Sequence, residues 1–87
     1  MHKIWYDKAW DDYQYWLTQD RRTVKRINQL IRDIERTGDS GIGIGKPELL
    51  RGDLSGFCSR RINESDRLVY RLVNGSIEIA SCRGHYE

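Results

Sequence analysis

The sequence predicts an α+β domain in which two amino-terminal helices pack on a twisted, mainly antiparallel β-sheet. The first half of the chain carries apolar residues at spacings of three and four, which is typical of amphipathic helices. The second half alternates apolar and polar residues and contains Asn74-Gly75, a strong signal for a two-residue hairpin turn. A chain of 87 residues is short, so we expect a single domain over residues 1–87 with room for one site.

The chain is expected to open with a strand over Lys3 to Tyr6, a short aromatic and β-branched run. Asp7 is placed to cap the helix that follows this strand. The apolar residues of this first helix recur at helical spacing, and we expect them to face the core rather than to stack on bases. They are Ala9, Trp10, Tyr13, Trp16 and Leu17.

Asp20 is predicted to cap a second helix, which should end at Gly38, a residue type common just past a helix C-terminus. The apolar stripe of this helix consists of Val24, Ile27, Ile31 and Ile34. The opposite face is basic and carries Arg21, Arg22, Lys25, Arg26 and Arg32. Such a face is usually only solvated. Its functional alternative is a sequence-independent contact to a nucleic-acid backbone.

Residues 38–45 contain four glycines and are expected to form a loop. Gly45-Lys46 resembles the end of a phosphate-binding loop, but Ser40 and Pro47 stand where that motif needs glycine and a hydroxyl residue. Nucleotide binding is therefore not expected. Glu48 to Leu50 then predicts a short strand, and residues 51–56 predict a turn.

The segment from Leu54 to Tyr70 predicts two strands joined by a polar turn, and it is the part of the chain around which we expect the sheet to form. Side chains of a strand alternate between its two faces. In the second strand, Leu68 and every second residue after it should therefore face the core, while Arg67, Val69 and Arg71 should face away. Arg61 shares the face of Arg67 only if it pairs with Arg67 or Val69. Guanidinium groups gathered on one sheet face suit bidentate binding of phosphate. The alternative is a solvated strand face.

The final strand, residues 76–82, is apolar on both faces and is therefore predicted to lie inside the sheet. Its alternation places Ile77 and Ile79 on one face and Ala80 and Cys82 on the other.

Composition gives weak indications of function. Fifteen basic and 13 acidic residues leave a formal net charge of +2, which does not by itself indicate a nucleic-acid partner. The start of the chain has no apolar run like that of a signal peptide, and no segment approaches the length of a membrane span. Cys58 and Cys82 are expected to remain reduced thiols. We therefore expect a cytoplasmic protein with no membrane contact.

The residues available for chemistry exclude several kinds of catalytic site. There is no recognisable serine-histidine-acid grouping. Cys82 and His85 could supply two metal ligands, whereas structural zinc takes four. What remains suits cleavage of a phosphodiester without metal, which needs a base, an acid and fixed positive charge.

Several short motifs, in order and at matching spacing, resemble one family. They are Gly45-Lys46-Pro47-Glu48, Leu54-Ser55-Gly56, Ser59-Arg60-Arg61-Ile62, Arg67-Leu68-Val69-Tyr70 and His85-Tyr86. In the amino-terminal half they are Ile4-Trp5, Trp10-Asp11-Asp12-Tyr13 and Ile27-Asn28. Together they resemble the Txe/YoeB family of bacterial toxins, within the RelE superfamily.

The resemblance implies a RelE-like fold and the function of a ribosome-dependent messenger RNA endoribonuclease, the toxin of a type II toxin–antitoxin pair. Such an enzyme would use the 2′-hydroxyl of the RNA as nucleophile and would need no metal or other cofactor. The implied partners are a cognate antitoxin, a ribosome with messenger RNA in its A site, and a second copy of the chain in a homodimer.

The resemblance also implies a role for each matching position. Glu48 matches the general base, Arg67 matches the group that stabilises the pentacovalent phosphate, and His85 matches the acid that protonates the 5′-oxygen. Tyr86 matches a terminal tyrosine that shapes the site. The positions that match substrate or phosphate contacts are Lys46, Arg51 and Arg61.

Taken singly, these residues have structural alternatives. Glu48 could pair with Lys46 or Arg51 on a surface, and His85 could be a disordered chain end. The acids that could serve Arg67 as structural partners are Glu64 and Asp66. The alternatives at the level of function are an RNA- or partner-binding module of the same fold without catalysis, and a ribonuclease that cuts naked RNA.

Three positions depart from the family pattern. Cys58 stands where an aromatic residue is expected, and Asp66 stands where histidine is frequent. Glu87 extends the chain past the usual His-Tyr end. A carboxylate close to His85 would favour the protonated imidazole and weaken it as an acid.

Overall fold

A computed structural model describes residues 1–38 and 40–84 of the chain. In chain order the elements are β1 (His2–Trp5), α1 (Asp7–Gln19), α2 (Arg21–Thr37), β2 (Glu48–Leu49), a 3₁₀ turn (Gly52–Leu54), β3 (Cys58–Arg61), β4 (Arg67–Val73) and β5 (Ser76–Ser81). The strands form one five-stranded sheet in the order β1-β5-β4-β3-β2. β1 runs parallel to β5, and the other three pairs are antiparallel. The predicted fold, two amino-terminal helices on a mainly antiparallel sheet, is confirmed.

Most of the helical residues that line the core lie on α2. Its predicted stripe is buried, and Leu30 joins it at 0% exposure. The Asp20 carboxylate caps the helix as predicted, accepting hydrogen bonds from the Arg22 N–H and the Thr23 hydroxyl, both at 3.0 Å. At the other end Gly38 adopts a φ of 62° and donates its N–H to the carbonyl of Ile34.

Helix α1 differs from the prediction at two positions. Asp7 begins the helix instead of capping it, and the cap residue is Tyr6, which makes no side-chain cap bond. Trp10 is 50% exposed instead of facing the core. The side of α1 that faces the sheet carries Ala9 and Asp12, and both are buried. Asp12 can be buried there because its carboxylate accepts a hydrogen bond from the Cys82 N–H.

The register between β3 and β4 fulfils the condition set by the sequence. Arg61 pairs with Arg67, so both side chains lie on the sheet face that is turned away from the helices. Leu68 faces the core as predicted. Val69 was expected to be on the open face, yet it is only 3% exposed, and its partner Ser59 is fully buried. The centre of that face is therefore closed to solvent.

A bulge in β5 overturns the prediction for Cys82. Val69 pairs with Ser81 while Tyr70 pairs with Ile79, so Ala80 is an extra residue in β5. The alternation is inverted beyond this point, and Cys82 joins the core on the same side as Ile79 instead of the opposite side. Burial and the nearby Asp12 carboxylate raise the pKa of the Cys82 thiol to about 12.

Within residues 1–38 and 40–84, neither helix is long and apolar enough to cross a membrane.

The contrast between two isoleucines tests where the core lies. Ile27 is fully buried on α2, whereas Ile42 in the following loop is 68% exposed. We expect Ile27→Ala to lower the free energy of unfolding by about 2–5 kcal/mol, because it removes buried methyl groups and leaves a cavity. Ile42→Ala, the same chemical change at an exposed position, should alter it by no more than about 0.5 kcal/mol. Urea unfolding followed by tryptophan fluorescence measures both, and equal losses would contradict the described core.

Candidate active site

Glu48 and Arg67 form an ion pair on the sheet face turned away from the helices. Nη2 of Arg67 lies 3.0 Å from Oε2 of Glu48, and it also donates to the Ser59 hydroxyl at 3.0 Å. The Arg67 side chain is 11% exposed and the Glu48 side chain 56% exposed. A largely buried cation therefore faces a carboxylate that solvent or a ligand can reach.

Strand pairing explains why these residues meet although 19 positions separate them in the chain. Glu48 on β2 pairs with Ser59 on β3, and Ser59 pairs with Val69 on β4. Directly opposed residues share a face, and so does every second residue of a strand. Arg67, two residues before Val69, therefore stands on the face of Glu48.

Arg61 lies next to this pair, and Lys46 is close to Arg61 along the loop that is bonded to it. Arg61 is exposed and stands opposite Arg67, and its main chain is held at both polar groups. Its N–H donates to the Gly45 carbonyl at 2.6 Å, and its carbonyl accepts from Nη2 of Arg26 at 3.0 Å. Lys46 follows Gly45 directly, is exposed, and has a φ of 52°, which is uncommon for a residue with a side chain. Arg61 thus stands beside the ion pair, and Lys46 directly follows the residue that is bonded to the Arg61 main chain.

Arg51 is exposed on the turn that follows β2. This turn is closed by a hydrogen bond from the Leu50 N–H to the Phe57 carbonyl. The Phe57 ring lies 4.9 Å from the Arg71 guanidinium, and Arg71 donates to Glu78 at 2.7 Å. Arg51 is therefore carried by a segment whose end is anchored on the same sheet face.

Tyr6, Arg71 and Glu78 form a hydrogen-bonded cluster next to the Phe57 ring. The Tyr6 hydroxyl donates to Oε1 of Glu78 at 2.7 Å, the oxygen that also accepts from Arg71. The hydrogen bond with Glu78 raises the pKa of Tyr6, and the bonds from Tyr6 and Arg71 lower the pKa of Glu78. Glu78 is therefore held as an anion.

His85 and Tyr86, together with Glu87, lie outside the described residues, so their expected roles stay predictions. The chain is described up to Gly84, and the hydrogen bonds of Gly84 show where the chain leads into His85. The Arg67 N–H donates to the Gly84 carbonyl at 3.1 Å, and the Gly84 N–H donates to Oδ1 of Asp66 at 2.7 Å. The last described residue before His85 is thus bonded to the main chain of Arg67.

Arg60, to which the sequence patterns assign no role, is fully buried on the core face of β3. Its guanidinium donates to Oδ2 of Asp33 at 2.6 Å, to the Tyr70 hydroxyl, to the Thr37 hydroxyl, and to main-chain carbonyls of the preceding loop. The alternation of β3 contained the signal for this, because an outward Arg61 implies an inward Arg60.

Asp33, the ionic partner of Arg60, is also bonded to two further groups. Arg36 donates to Oδ1 at 2.6 Å, and the Ile44 N–H donates to Oδ2 at 2.9 Å. The hydrogen bonds from Arg36, from the Ile44 N–H and from Arg60 lower the pKa of Asp33 to about 2. The acid is thus held as an anion beneath the sheet.

The basic face of α2 lines an open groove of about 590 Å³. The residues along it are Arg22, Lys25, Arg26, Asn28, Gln29 and Arg32. Arg26 connects this groove to the site, because its guanidinium bonds to the carbonyl of Arg61. Positive charge therefore continues from the helix to the arginines on the sheet.

Comparison with known proteins assigns a chain with this fold and site to the class of small bacterial toxins. A family model described as the YoeB-like toxin of bacterial type II toxin-antitoxin systems matches residues 5–86. The chain belongs to this YoeB-like toxin family.

Individual relatives agree with this assignment over the whole chain. Toxin YoeB of Escherichia coli strain K12 is 54% identical over 86 residues, which cover 99% of this chain and all of that protein. A chain of the heterotetrameric YoeB-YefM toxin-antitoxin complex from Staphylococcus aureus superposes with a TM-score of 0.91 at 44% identity, covering 99% of this chain and 98% of that one. The YoeB dimer from Staphylococcus aureus gives the same TM-score, identity and coverage.

The low pKa of Asp33 predicts how stability changes with pH. A carboxyl whose pKa is lowered on folding stabilises the folded state above its unfolded pKa, and this contribution is lost as the pH falls through the folded pKa. For Asp33 the window runs from the ordinary value of 3.8 down to about 2. We expect the urea midpoint of the wild-type chain to exceed that of Asp33→Asn near neutral pH, and the gap to narrow across that window. Asp11→Asn, an exposed change on α1, is the control, and a constant gap for Asp33→Asn would contradict the assignment.

Proposed function

We propose that the chain is a ribosome-dependent endoribonuclease that cleaves messenger RNA in the ribosomal A site. The observation that carries this proposal is the ion pair between an exposed Glu48 carboxylate and a largely buried Arg67 guanidinium. Membership of the YoeB-like toxin family supports it. A carboxylate that can accept a proton and a cation fixed beside it are two of the three groups that metal-free phosphodiester cleavage needs.

In the proposed mechanism Glu48 takes the proton of the RNA 2′-hydroxyl. The freed 2′-oxygen attacks the neighbouring phosphorus, and the bond from phosphorus to the 5′-oxygen breaks. The products are a 2′,3′-cyclic phosphate and a 5′-hydroxyl end. An exposed carboxylate suits this role because the base must come within hydrogen-bond distance of the hydroxyl that it deprotonates.

Arg67 would stabilise the negative charge that develops on the phosphate oxygens. Arginine is suited to this role because its planar guanidinium presents several N–H donors to the oxygens of a phosphate. Ser59 and Glu48 hold it in place before substrate arrives, so little reorganisation is needed during the reaction. Its low exposure strengthens the attraction for phosphate compared with that of an arginine in open water.

His85 is the proposed acid that protonates the departing 5′-oxygen, and Tyr86 is proposed to shape the site beside it. The bonds that Gly84 makes to Arg67 and Asp66 support this proposal, since Gly84 immediately precedes His85. An imidazole with an ordinary pKa of about 6.5 can donate a proton near neutrality. A carboxylate at Glu87 would raise that pKa if it lay close.

Substrate contacts are proposed for Lys46, Arg51 and Arg61, each exposed and each able to meet a phosphate. The groove along α2 would add a sequence-independent contact to ribosomal RNA. Its continuity with Arg61 supports this arrangement.

The proposed partners follow from the relatives and from charge. The Staphylococcus aureus proteins form a YoeB-YefM toxin-antitoxin complex and a YoeB dimer. For this chain we propose a cognate antitoxin whose flexible carboxy-terminal segment folds over Glu48 and Arg67. We also propose a homodimer, and a cytoplasmic location where ribosomes are available.

Cleavage of a defined messenger RNA, with and without programmed ribosomes, tests the activity. We expect cleavage only with ribosomes, with 5′ ends in the A-site codon, mapped by primer extension. Glu48→Gln should lower the rate by about 10²–10⁴-fold, because the amide cannot accept the proton. His85→Ala should lower it over a similar range. The matched control is Glu35→Gln, which alters a carboxylate on α2 paired with Lys3.

Each of the other outcomes would contradict a specific part of this proposal. Cleavage of naked RNA at the same rate would replace the proposal with a ribosome-independent ribonuclease. Binding of a folded chain to ribosomes without any cleavage would replace it with a binding module. Retention of full activity by Glu48→Gln would remove that residue from the role of base.

Neutralising two residues of the basic groove tests the proposed contact to ribosomal RNA. We expect Arg22→Gln with Lys25→Gln to raise KM for programmed ribosomes by about tenfold or more at physiological salt, with kcat little changed, because two phosphate contacts are lost. The control pair Gln14→Glu and Gln19→Glu makes the same change in net charge at exposed positions of α1. Titration of KM against salt completes the test. If KM rises equally for both pairs of substitutions, the effect comes from net charge alone and the proposed contact of the groove is contradicted.

A further inference from the structure

We propose that Arg60 is a positioning residue for this reaction: from the core side of β3 it fixes the loop that carries Lys46 and leads into β2, where Glu48 meets Arg67. The inference rests on the function proposed above. It adds a residue that touches neither substrate nor the reacting atoms and acts through the loop.

Arg60 is fully buried, and a buried charge is stable only when its hydrogen-bonding groups are satisfied. Its Nε donates to the Tyr70 hydroxyl at 3.1 Å. Nη1 donates to Asp33 and Nη2 to the Thr37 hydroxyl, at 2.6 and 3.0 Å. The two remaining bonds go to main-chain carbonyls of the loop. All five donors of the guanidinium are therefore in use.

The loop between α2 and β2 is held mainly through its backbone. Arg60 binds the carbonyls of Ile42 and Ile44, each at 3.2 Å. The Ile44 N–H donates to Asp33, and the Gly45 carbonyl accepts from the N–H next to Arg60 in β3. Three residues of the loop, Ile42, Ile44 and Gly45, are thus tied to one charged pair and its strand. Lys46 follows directly, and Glu48 comes two residues later.

Two glycines show how closely the loop approaches this pair. A Cβ added at Gly43 would overlap both the Asp33 carboxylate and the Arg60 guanidinium. A Cβ at Gly45 would lie 2.9 Å from the Leu30 side chain, and both glycines have positive φ. Glycine at these two positions lets the loop run close enough for the carbonyls of Ile42 and Ile44 to reach Arg60.

Apolar packing holds the catalytic end of this loop at two points, since Ile44 packs against the core and Leu50, just after β2, is 4% exposed. Ile42 is 68% exposed, Ile44 is half-buried, and Leu49 on β2 is 70% exposed. β2 itself has only two residues, Glu48 and Leu49, paired with β3. The position of Glu48 therefore depends on a short ladder, on the buried Leu50 just after β2 and on the Arg60 network.

Arg60 also sits between two residues that face the site. Ser59 accepts a hydrogen bond from Arg67, and Arg61 pairs with Arg67 across the strands. Fixing β3 and the loop together sets the distance between the proposed base and the proposed phosphate-binding cation. A displacement of about 1 Å in such a constellation can lower a rate by about 10²-fold.

Thr37 allows a test that leaves the charged pair in place. Thr37→Val removes one acceptor of Arg60, while Thr37→Ser keeps the hydroxyl. On programmed ribosomes we expect Thr37→Val to lower kcat by about 10- to 100-fold with KM changed by less than about threefold, and Thr37→Ser to restore kcat to within about threefold of wild type. Ile77→Val, a fully buried change on β5, is the control chosen to match the loss of thermal stability, and its kcat should stay within about twofold of wild type.

Amide hydrogen exchange supplies a readout that needs no cleavage. The Ile44 and Arg61 amides, both bonded within the network, should exchange faster in Thr37→Val than in Ile77→Val. The Tyr6 amide, bonded to the Ile79 carbonyl, serves as a distant reference that should be unchanged.

The two proposals fail separately. If the wild-type chain cleaves no RNA, the proposed function is overturned. The amide exchange rates of Ile44 and Arg61 then test by themselves whether Arg60 holds the loop. If Thr37→Val matches Ile77→Val in kcat, the positioning role is overturned while the nuclease stands. Unchanged exchange at Ile44 and Arg61 overturns it as well.

Discussion

The buried ion pair between Arg60 and Asp33 is the interaction on which the rest of the structure depends. It joins α2, β3, β4 and the loop 42–45 at one point, because a guanidinium offers five donors in a fixed planar arrangement. A lysine could not replace it, since an ammonium has three donors and no fork. A glycine-rich loop with little apolar surface needs such a partner, because its backbone groups would otherwise be buried without hydrogen bonds.

The pleat of β3 connects this pair to the site. Arg60 points into the core, while Ser59 and Arg61 point to the other face and contact or oppose Arg67. A shift of one residue in the register of β3 would exchange these faces and destroy the core pair and the site together. Stability and the geometry of the site are therefore specified by the same strand pairing, and the core pair fixes which register is possible.

Sequence patterns predicted the parts of the fold that depend on long periodic segments. The stripe of α2 and its Asp20 cap were confirmed because both follow from local spacing. The prediction for Trp10 was wrong, since a side chain at helical spacing can still fall beside the interface when the helix is rotated. The prediction for Cys82 was wrong because the bulge at Ala80 inverts the alternation, and alanine carries no sequence signal for a bulge.

The site was harder to predict, because three distant regions of the chain form it and each is held by bonds to backbone. Spacing alone could not bring Glu48 to Arg67 across two strand pairings, and the family resemblance supplied that expectation. Asp66, a departure from the family pattern, binds the Gly84 N–H and so holds the segment that leads to the proposed acid. Trp16 and Asp12 bind Cys82 two residues earlier, at its carbonyl and its N–H. Residues 82–84, which lead to the proposed acid, are thus fixed by partners on α1 and by Asp66 just before β4.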